Sequence, residues 1–582
     1  MADVKENTTD RVNLVYKTEV AGTEQEIELP LRLLVLSDMS ADERSEYFEE
    51  QHPVAILEAG LKGLFANIKP QVKVRVKNLL TDDGEIDIVY PVTSLDDFLP
   101  ENIVNNTPEL KKVVEFIDAL GQTLQNQAIS DLDPQHQGVI DDLLKVEGLG
   151  WDELKNNLDN LGWLISNVEE RVTSQLDAIL HHSGFSSLEA SWRSLNFLIE
   201  RIDFSENCEI SVLNISKQGL MDDFEDAPEV MQSNIYQSVY SDEFGQYGGR
   251  PYAAIIGNYQ FGPKAPDVRL LQKMGSVGAI SHAPFIAAAS HEFFDIDSYS
   301  KFSKLRDVAS IFGQQGYEKW NSFRESEDAR YVALTMPSFL LRQLHESTIG
   351  SLEYREKAKS VDTDLLWGNA AFALATRIAD SFAKYRWCLN ITGKTEGLVK
   401  GLTVSDNSSN SMKTGKIPTQ FLLTDKRESD VIAQGFIPLS VHKGDDTAAF
   451  YSAYSVYNFK ESQNKDQIQD LTQRLGAQIP YLLIISRISH YIKMMQREHI
   501  GSWKNRRDVD TELNNWLKQY VSDMDNPAPG VRGRRPLRRA DIKVREVDGK
   551  ADWFLTQIQI TPHIKYMGNS FTLSETSKLE KA

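Results

Sequence analysis

The sequence predicts a multi-domain protein of mixed α+β and α/β build, and three observations predict it. A chain of 582 residues is too long for a single compact core. Its first hundred residues read as short strands, while the stretch from Glu209 to Ala289 alternates strand with helix. Two long helical patterns and a hairpin pattern follow toward the C-terminal end. An apolar content of 41% beside a charged content of 25% is that of an ordinary soluble globular chain, so fibrous and disordered classes are set aside.

In chain order, RVNLVYK (Arg11 to Lys17), EIELPLRLLVLSD (Glu26 to Asp38), VKVRVKN (Val72 to Asn78) and EIDIVYPV (Glu85 to Val92) show two-residue alternation or β-branched runs and predict strands. The turn Thr81 to Gly84 joins the last two as a hairpin. SLDDF, Ser94 to Phe98, opens a helix with acidic residues in its first turn. From about Pro108 to Ile202 the period is helical, with Val168, Val172, Leu176 and Leu180 on one stripe and a connector between domains near Glu147 to Asp159. CEISVLNIS and AAIIGNY (Ala253 to Tyr259) predict strands. DVRLLQKMGSVGAISHA predicts a helix, and APFIAAA (Ala283 to Ala289) a buried strand. A polar loop, Ser405 to Lys416, precedes helices over about Gln467 to Arg497 and Asn505 to Tyr520. The Asp548–Gly549 turn then joins ADIKVREV to ADWFLTQIQITP. There is no internal repeat. The segments expected are 1–147, a helical connector at 148–202, an α/β core at 203–465 and a terminal helix-and-hairpin part at 466–582.

Net charge is −21, and most of it lies in the first 150 residues. It is either a solvated acidic face or a docking surface for a basic partner. Nucleic acid is disfavoured, because phosphate needs a net basic footprint. Cys208 and Cys388 allow no disulfide framework and fit a reducing compartment. The start of the chain is polar and acidic, so no signal peptide is expected. The most apolar stretch, Ile479 to Gln496, carries Arg487, His490 and Lys493 at helical spacing, which predicts a buried helix with one polar stripe and not a membrane span.

Motifs that could carry chemistry are incomplete. GNYQFGPK, Gly257 to Lys264, nearly spells a phosphate loop, but Pro263 stands where the lysine belongs and removes an N–H. Gly393 has no partner glycine five residues earlier, since Cys388 sits there, and the GKI at Gly415 lacks the hydroxyl. Two Ser–His neighbours occur between Ser281 and Phe294 without a nucleophile elbow. His181 and His182 are adjacent, so on a helix they point apart, and no second pair supports a metal. No catalytic, cofactor-binding or metal-ligating set is expected.

Three features point to packing and assembly. The segment Gly530 to Glu546 carries Arg532, Arg534, Arg535, Arg538, Arg539, Lys543 and Arg545 without interleaved aromatics; an acidic protein surface in a neighbouring copy fits it better than a solvated loop or nucleic acid. In FRESEDARYV, Arg324 and Asp328 are four apart and Glu327 and Arg330 three apart, so they are expected to form an ion-pair brace where a helix feeds a buried strand. The terminal strands, with Val12, Leu14 and Tyr16 at one end and Ile542, Val544, Trp553 and Leu555 at the other, either share one intramolecular sheet or add to neighbouring subunits. The residues alone leave that open.

The words LHHSGFSSLEASWRSLNFLI, EFGQYGGRPYAAIIGNYQFGPKAPDVRLL, FRESEDARYVALTMPSFLLR, LLWGNAAFALATRIADSFAKYRWCLNITG and RGRRPLRRADIKV resemble the large sheath subunit of the bacterial type VI secretion system, the TssC or VipB family, from about Leu161 onward. RVNLVYKTEV, EIELPLRLLVLSD and VKNLLTDDGEIDIVYPVTSLDDFLPENIV resemble the small subunit, the TssB or VipA family, over residues 1 to about 147. The resemblance implies a fused protomer of a contractile tail-sheath-like polymer, not an enzyme and without cofactors. It implies a cytoplasmic helical tube around Hcp-type rings, docked at the inner membrane of a Gram-negative cell through a baseplate and contracting to drive the tube and its effectors outward. It tips the terminal strands toward intersubunit pairing. The segment that an AAA+ unfoldase of the ClpV type grips in the large subunit has no counterpart in the words matched, which weakens that partner. A soluble hydrolase or nucleotide enzyme is the alternative, disfavoured by the broken motifs.

Overall fold

The computed structural model describes residues 14–20, 23–41, 45, 47–48, 51–56, 60–81, 84–126, 158–246, 248–404, 417–441, 446–458, 476–498, 506–524, 535–546, 554–562 and 573–578. The first described elements are an antiparallel hairpin, β1 (Tyr16–Val20) and β2 (Thr23–Ile27), followed by β3 (Leu31–Ser37). The single strand expected over Glu26 to Asp38 is therefore two. Pro30 stands between them, and without an N–H it cannot continue a ladder. The short β4 (Val54–Ala55) and α1 (Gly60–Ile68) lead to β5 (Gln71–Lys77) and β6 (Glu85–Pro91), which pair as the expected hairpin and bury every second residue. The helices α2 (Pro100–Asn106), α3 (Pro108–Asn126), α4 (Leu158–Leu180) and α5 (Ser183–Ile199) follow, and the stripe Val168, Val172, Leu176 and Leu180 of α4 is buried.

The α/β part then runs β7 (Cys208–Asn214), α6 (Lys217–Asp226), β8 (Ala254–Phe261), α7 (Ala265–Ser281), β9 (Phe285–Ala289), α8 (Glu318–Arg324), β10 (Val332–Met336), α9 (Ala370–Tyr385) and β11 (Phe436–Pro438). It ends with α10 (Ile479–Glu498), α11 (Arg506–Lys518), β12 (Leu537–Glu546), β13 (Phe554–Pro562) and β14 (Leu573–Lys578). The expected polar loop Ser405 to Lys416 lies outside the described residues, as do residues 467–475 of the first long helical pattern.

The central sheet has seven strands in the order β11-β10-β9-β8-β3-β7-β4, with all neighbours parallel except β4 beside β7. β3 therefore sits between two strands that come from the later α/β part. Its seven residues, LRLLVLS, are all buried, as a central parallel strand covered on both faces requires. Its side chains divide between two cores by alternation. Leu31, Leu33 and Val35 pack with Ile210, Val212 and Ile256, while Leu34 and Leu36 pack with Leu213, Ile255 and Phe285. The first core also joins the early helices to the later ones: the Phe65 and Trp192 rings stack at 3.8 Å, and Trp192 Nε1 donates to Met39 O at 3.0 Å. The early and late parts of the chain thus share one hydrophobic interior.

Candidate assembly site

An early and a late part of the described chain meet in a third core. Leu14, Tyr16 and Leu29 pack with residues of α10, α11, β12 and β13. Tyr491 of α10 fixes the hairpin from both sides: its hydroxyl donates to Leu14 O at 2.6 Å and accepts from Leu29 N–H at 2.8 Å. The Tyr16 ring meets Tyr491 edge-on at 6.1 Å. Arg487 donates to Pro30 O at 2.9 Å and to Leu29 O. Trp516 Nε1 donates to Val15 O at 2.8 Å, and Val15 N–H to the Tyr520 hydroxyl at 3.3 Å. Of the residues expected to pair between subunits, Leu14 and Tyr16 are buried here, Tyr16 lies opposite Ile27 within the hairpin, and Val12 falls outside the described residues.

β12, β13 and β14 form a three-stranded antiparallel sheet, one strand more than the expected hairpin. The third strand, LSETSK, was illegible because it is polar and has no apolar alternation to announce it. Ile542 lies opposite Ile558, Val544 opposite Thr556, and Leu555 opposite both Arg545 and Lys578; Trp553 lies outside the described residues. The side of β12 away from β13 is occupied by α11. Asn514 exchanges two hydrogen bonds with Ile542, and Asp510 Oδ1 accepts Val544 N–H at 3.0 Å. Pairing another chain along Ile542 and Val544 would require α11 to leave. β14, by contrast, has no strand on its far side among the described residues.

The basic segment borders this sheet. Arg535 and Arg539 are exposed, Arg538 is half-buried, and Arg532 and Arg534 lie outside the described residues. Arg539, Lys543 and Arg545 share the exposed face of β12 with Asp541, while Ile542 and Val544 point into the third core.

FRESEDARYV occupies the end of α8, a 3-10 turn over Glu327–Tyr331 and the start of β10. Glu327 and Arg330 form an ion pair at 3.2 Å, with Glu327 largely exposed. Arg324 and Asp328, expected to pair, take different partners. Arg324 turns inward, donating from Nε to Val456 O at 2.9 Å, to Ala433 O at 3.2 Å and to Gln434 Oε1 at 3.4 Å. Asp328 accepts from the Ser276 hydroxyl at 2.6 Å. The geometry differs because the helix ends at Arg324, so the four-residue spacing no longer puts both side chains on one face. Burial lowers the Arg324 pKa to about 10. Gly435, at φ +85°, keeps the approach open, since a Cβ there would lie 3.2 Å from the guanidinium.

A second buried charge cluster was missed from sequence. Arg342 bonds Glu189 Oε1 at 2.9 Å and Glu356 Oε2 at 2.7 Å, and both carboxylates are fully shielded from solvent. Arg193 Nε reaches Glu189 at 2.7 Å, His181 Nε2 lies 3.0 Å from Glu356, and His345 N–H donates to Glu356 at 2.8 Å. Burial alone would raise the Glu356 pKa, but His181 and Arg342 outweigh it and bring it down to about 2. Burial, reinforced by Arg342, lowers the His345 pKa to about 4. Glu189 and Arg193 are four apart on α5, but Arg342, Glu356, His181 and His345 come from other elements, so no spacing in the sequence signals the cluster as a whole.

Several residues of the incomplete motifs make structural contacts. The Gly262 N–H, where a phosphate loop would hold phosphate, donates to Asp267 Oδ2 at 2.7 Å, and Lys264 pairs with Glu292 at 2.9 Å. Ser281 Oγ donates to Val277 O, Ser290 caps Glu292 N–H, and His182 caps Gly184 N–H. Among the described residues no group of three metal-ligating side chains is placed to hold an ion, and no helix is long and apolar enough to cross a membrane.

Comparison with known proteins locates these features in a family. The EvpB/VC_A0108 tail sheath N-terminal domain model matches residues 163–457, and the EvpB/VC_A0108 tail sheath gpW/gp25-like domain model matches residues 468–579. The model for type VI secretion system VipA, VC_A0107 or Hcp2, matches residues 4–150. The chain is 35% identical to the type VI secretion system sheath protein TssC1 of Pseudomonas aeruginosa over 431 residues, which is 72% of this chain and 86% of the relative. It is 29% identical to the sheath protein TssB1 of the same organism over 127 residues, which is 21% of this chain and 72% of the relative.

Proposed function

Because the chain belongs to the type VI secretion sheath family, carrying the VipA part and the VipB/EvpB part in one polypeptide, we propose that it is a structural protomer that polymerises into a helical sheath around an inner tube of the Hcp type and contracts to drive that tube and its effectors outward. The observation that carries this reading is the insertion of β3, from the VipA-matching part, between β8 and β7 of the VipB-matching part. Two parts that share one sheet move as one body, which a subunit transmitting force requires.

In this reading residues 1–147 are the small-subunit part, 148–202 the connector, 203–465 the core and 466–582 the terminal module. The terminal module links protomers by strand addition. Its open β14 edge and the β1–β2 hairpin supply the strands, and Arg532, Arg534, Arg535, Arg538 and Arg539 meet an acidic face of a neighbour. Arg324 and the Arg342 cluster keep the core rigid while interfaces between protomers repack. The polymer works in the cytoplasm, docks through a baseplate, needs no cofactor and does no catalysis. A ClpV-type unfoldase is a weaker partner.

Negative-stain electron microscopy of the purified chain, with and without an inner-tube protein, tests the proposal. Hollow, ridged tubes are expected. Monodisperse particles at high concentration under both conditions would overturn it.

A further inference from the structure

One face of α10 carries Arg487, His490, Lys493 and Arg497, three or four residues apart. All four reach main-chain carbonyls of other elements. Arg487 bonds Pro30 O and Leu29 O, His490 Nε2 lies 3.0 Å from Ser281 O, Lys493 Nζ donates to Ile280 O at 2.9 Å, and Arg497 donates to Phe244 O and Gly245 O. Ile280 and Ser281 end α7, and Phe244 and Gly245 end the short helix Asp242–Gly245. Cations are favoured at helix C-termini, where the last carbonyls lack partners. α10 is thus held on the ends of α7 and the short helix by His490, Lys493 and Arg497, and on the link between β2 and β3 by Arg487.

His490 is the neutral member in the middle of that row, 1% exposed. Phe244 lies 5.9 Å from its ring and His282, just past the end of α7, lies 6.3 Å away. The groups that act on its charge are His282, Lys493 and Arg487, together with the Ser281 carbonyl. The neighbouring elements add phenols: Tyr331 on the 3-10 turn meets His282 Nδ1 at 3.5 Å, and the Tyr240 ring lies 5.0 Å from Lys493 Nζ. Glu243, on the short helix beside Phe244, is taken by Arg32 at 2.7 Å.

We propose that His490, with His282 facing it, is an acid-sensitive latch that holds α10, and the terminal sheet to which α10 leads, on the core. With Nε2–H donated to Ser281 O, a proton from solvent can enter only at Nδ1, giving a buried imidazolium between two fixed cations and beside a second histidine. No covalent bond changes. Docked His490 is held well below its ordinary pKa, first by burial and then by His282. Undocked, it takes up a proton near the ordinary value of about 6.5. Docking is therefore fully favoured above about pH 6.5 and weakens as pH falls, roughly tenfold per unit for one proton. The latch does not depend on the sheath reading, since it acts within a single chain.

Hydrogen–deuterium exchange of the full chain at pH 7.5 and 5.5, corrected for the intrinsic effect of pH, tests it. Protection of residues 479–498 is expected to fall about tenfold at the lower pH while β3 and β8 stay protected. His490→Gln should remove that response, and His490→Phe, an apolar ring of similar size, serves if the first variant does not fold. Unchanged protection of 479–498, an acid response that persists in either variant, or an equal loss over β3 and β8 would each overturn the latch.

Discussion

The side-chain amide of Asn514 and the main chain of Ile542 bind each other twice, Nδ2 to O at 2.7 Å and N–H to Oδ1 at 2.9 Å. A carboxamide presents the same donor and acceptor as a peptide group, so α11 stands in for a neighbouring strand along β12. With Asp510 receiving Val544 N–H, that edge is closed to other chains in this conformation, which is one way proteins manage exposed edges.

Asn514→Ala removes both bonds and leaves the Ile542 N–H and C=O without partners. Loss of about 1–3 kcal/mol from the terminal module is expected. Hydrogen exchange of residues 537–546 would read it. A variant as stable as the parent would mean that water replaces the amide at no cost.

Arg324→Ala strands the carbonyls of Val456 and Ala433 inside the core, and a cost of roughly 2–5 kcal/mol is expected in urea unfolding. Glu327→Ala, which breaks an exposed pair, should cost at most about 1 kcal/mol. If the two variants cost the same, the inward hydrogen bonds are not what holds this turn.

Arg342→Met leaves Glu189 and Glu356 buried without their shared cation. Breaking one partner of such a cluster costs about 3–5 kcal/mol. Replacing Arg342, Glu189 and Glu356 together by apolar residues should recover part of that loss, and a denaturation series over the single and triple variants would compare them.

Glu356 also makes an acid signature. Its folded pKa of about 2 lies below the ordinary 4.5, so its contribution to stability is fully present above about pH 4.5 and is lost as pH falls toward 2. Glu356→Gln should flatten the stability profile over that window. An unchanged profile would place the acid sensitivity elsewhere.

Cutting the chain within residues 127–157 should leave two pieces that co-purify when expressed together, because β3 completes the sheet of the second piece. The second piece alone lacks the strand between β8 and β7 and is expected to aggregate. Recovery of a soluble, folded second piece by itself would contradict a shared core.

The sequence by itself determined the elements whose pattern is local. Alternation in β5 and β6 announced a half-buried hairpin, and the four-residue stripe from Val168 to Leu180 announced α4. The family words were legible for the same reason, being runs of neighbouring residues. Tertiary structure alone decided where β3 lies, because a short, mostly apolar strand reads the same at any central position of a parallel sheet. It also decided the partners of Arg324, Arg342 and His490. A long charged or imidazole side chain bonds whatever carbonyl or carboxylate the fold brings within about 3 Å, and residues as distant in sequence as Glu189 and Glu356 become neighbours only when the chain has closed on itself.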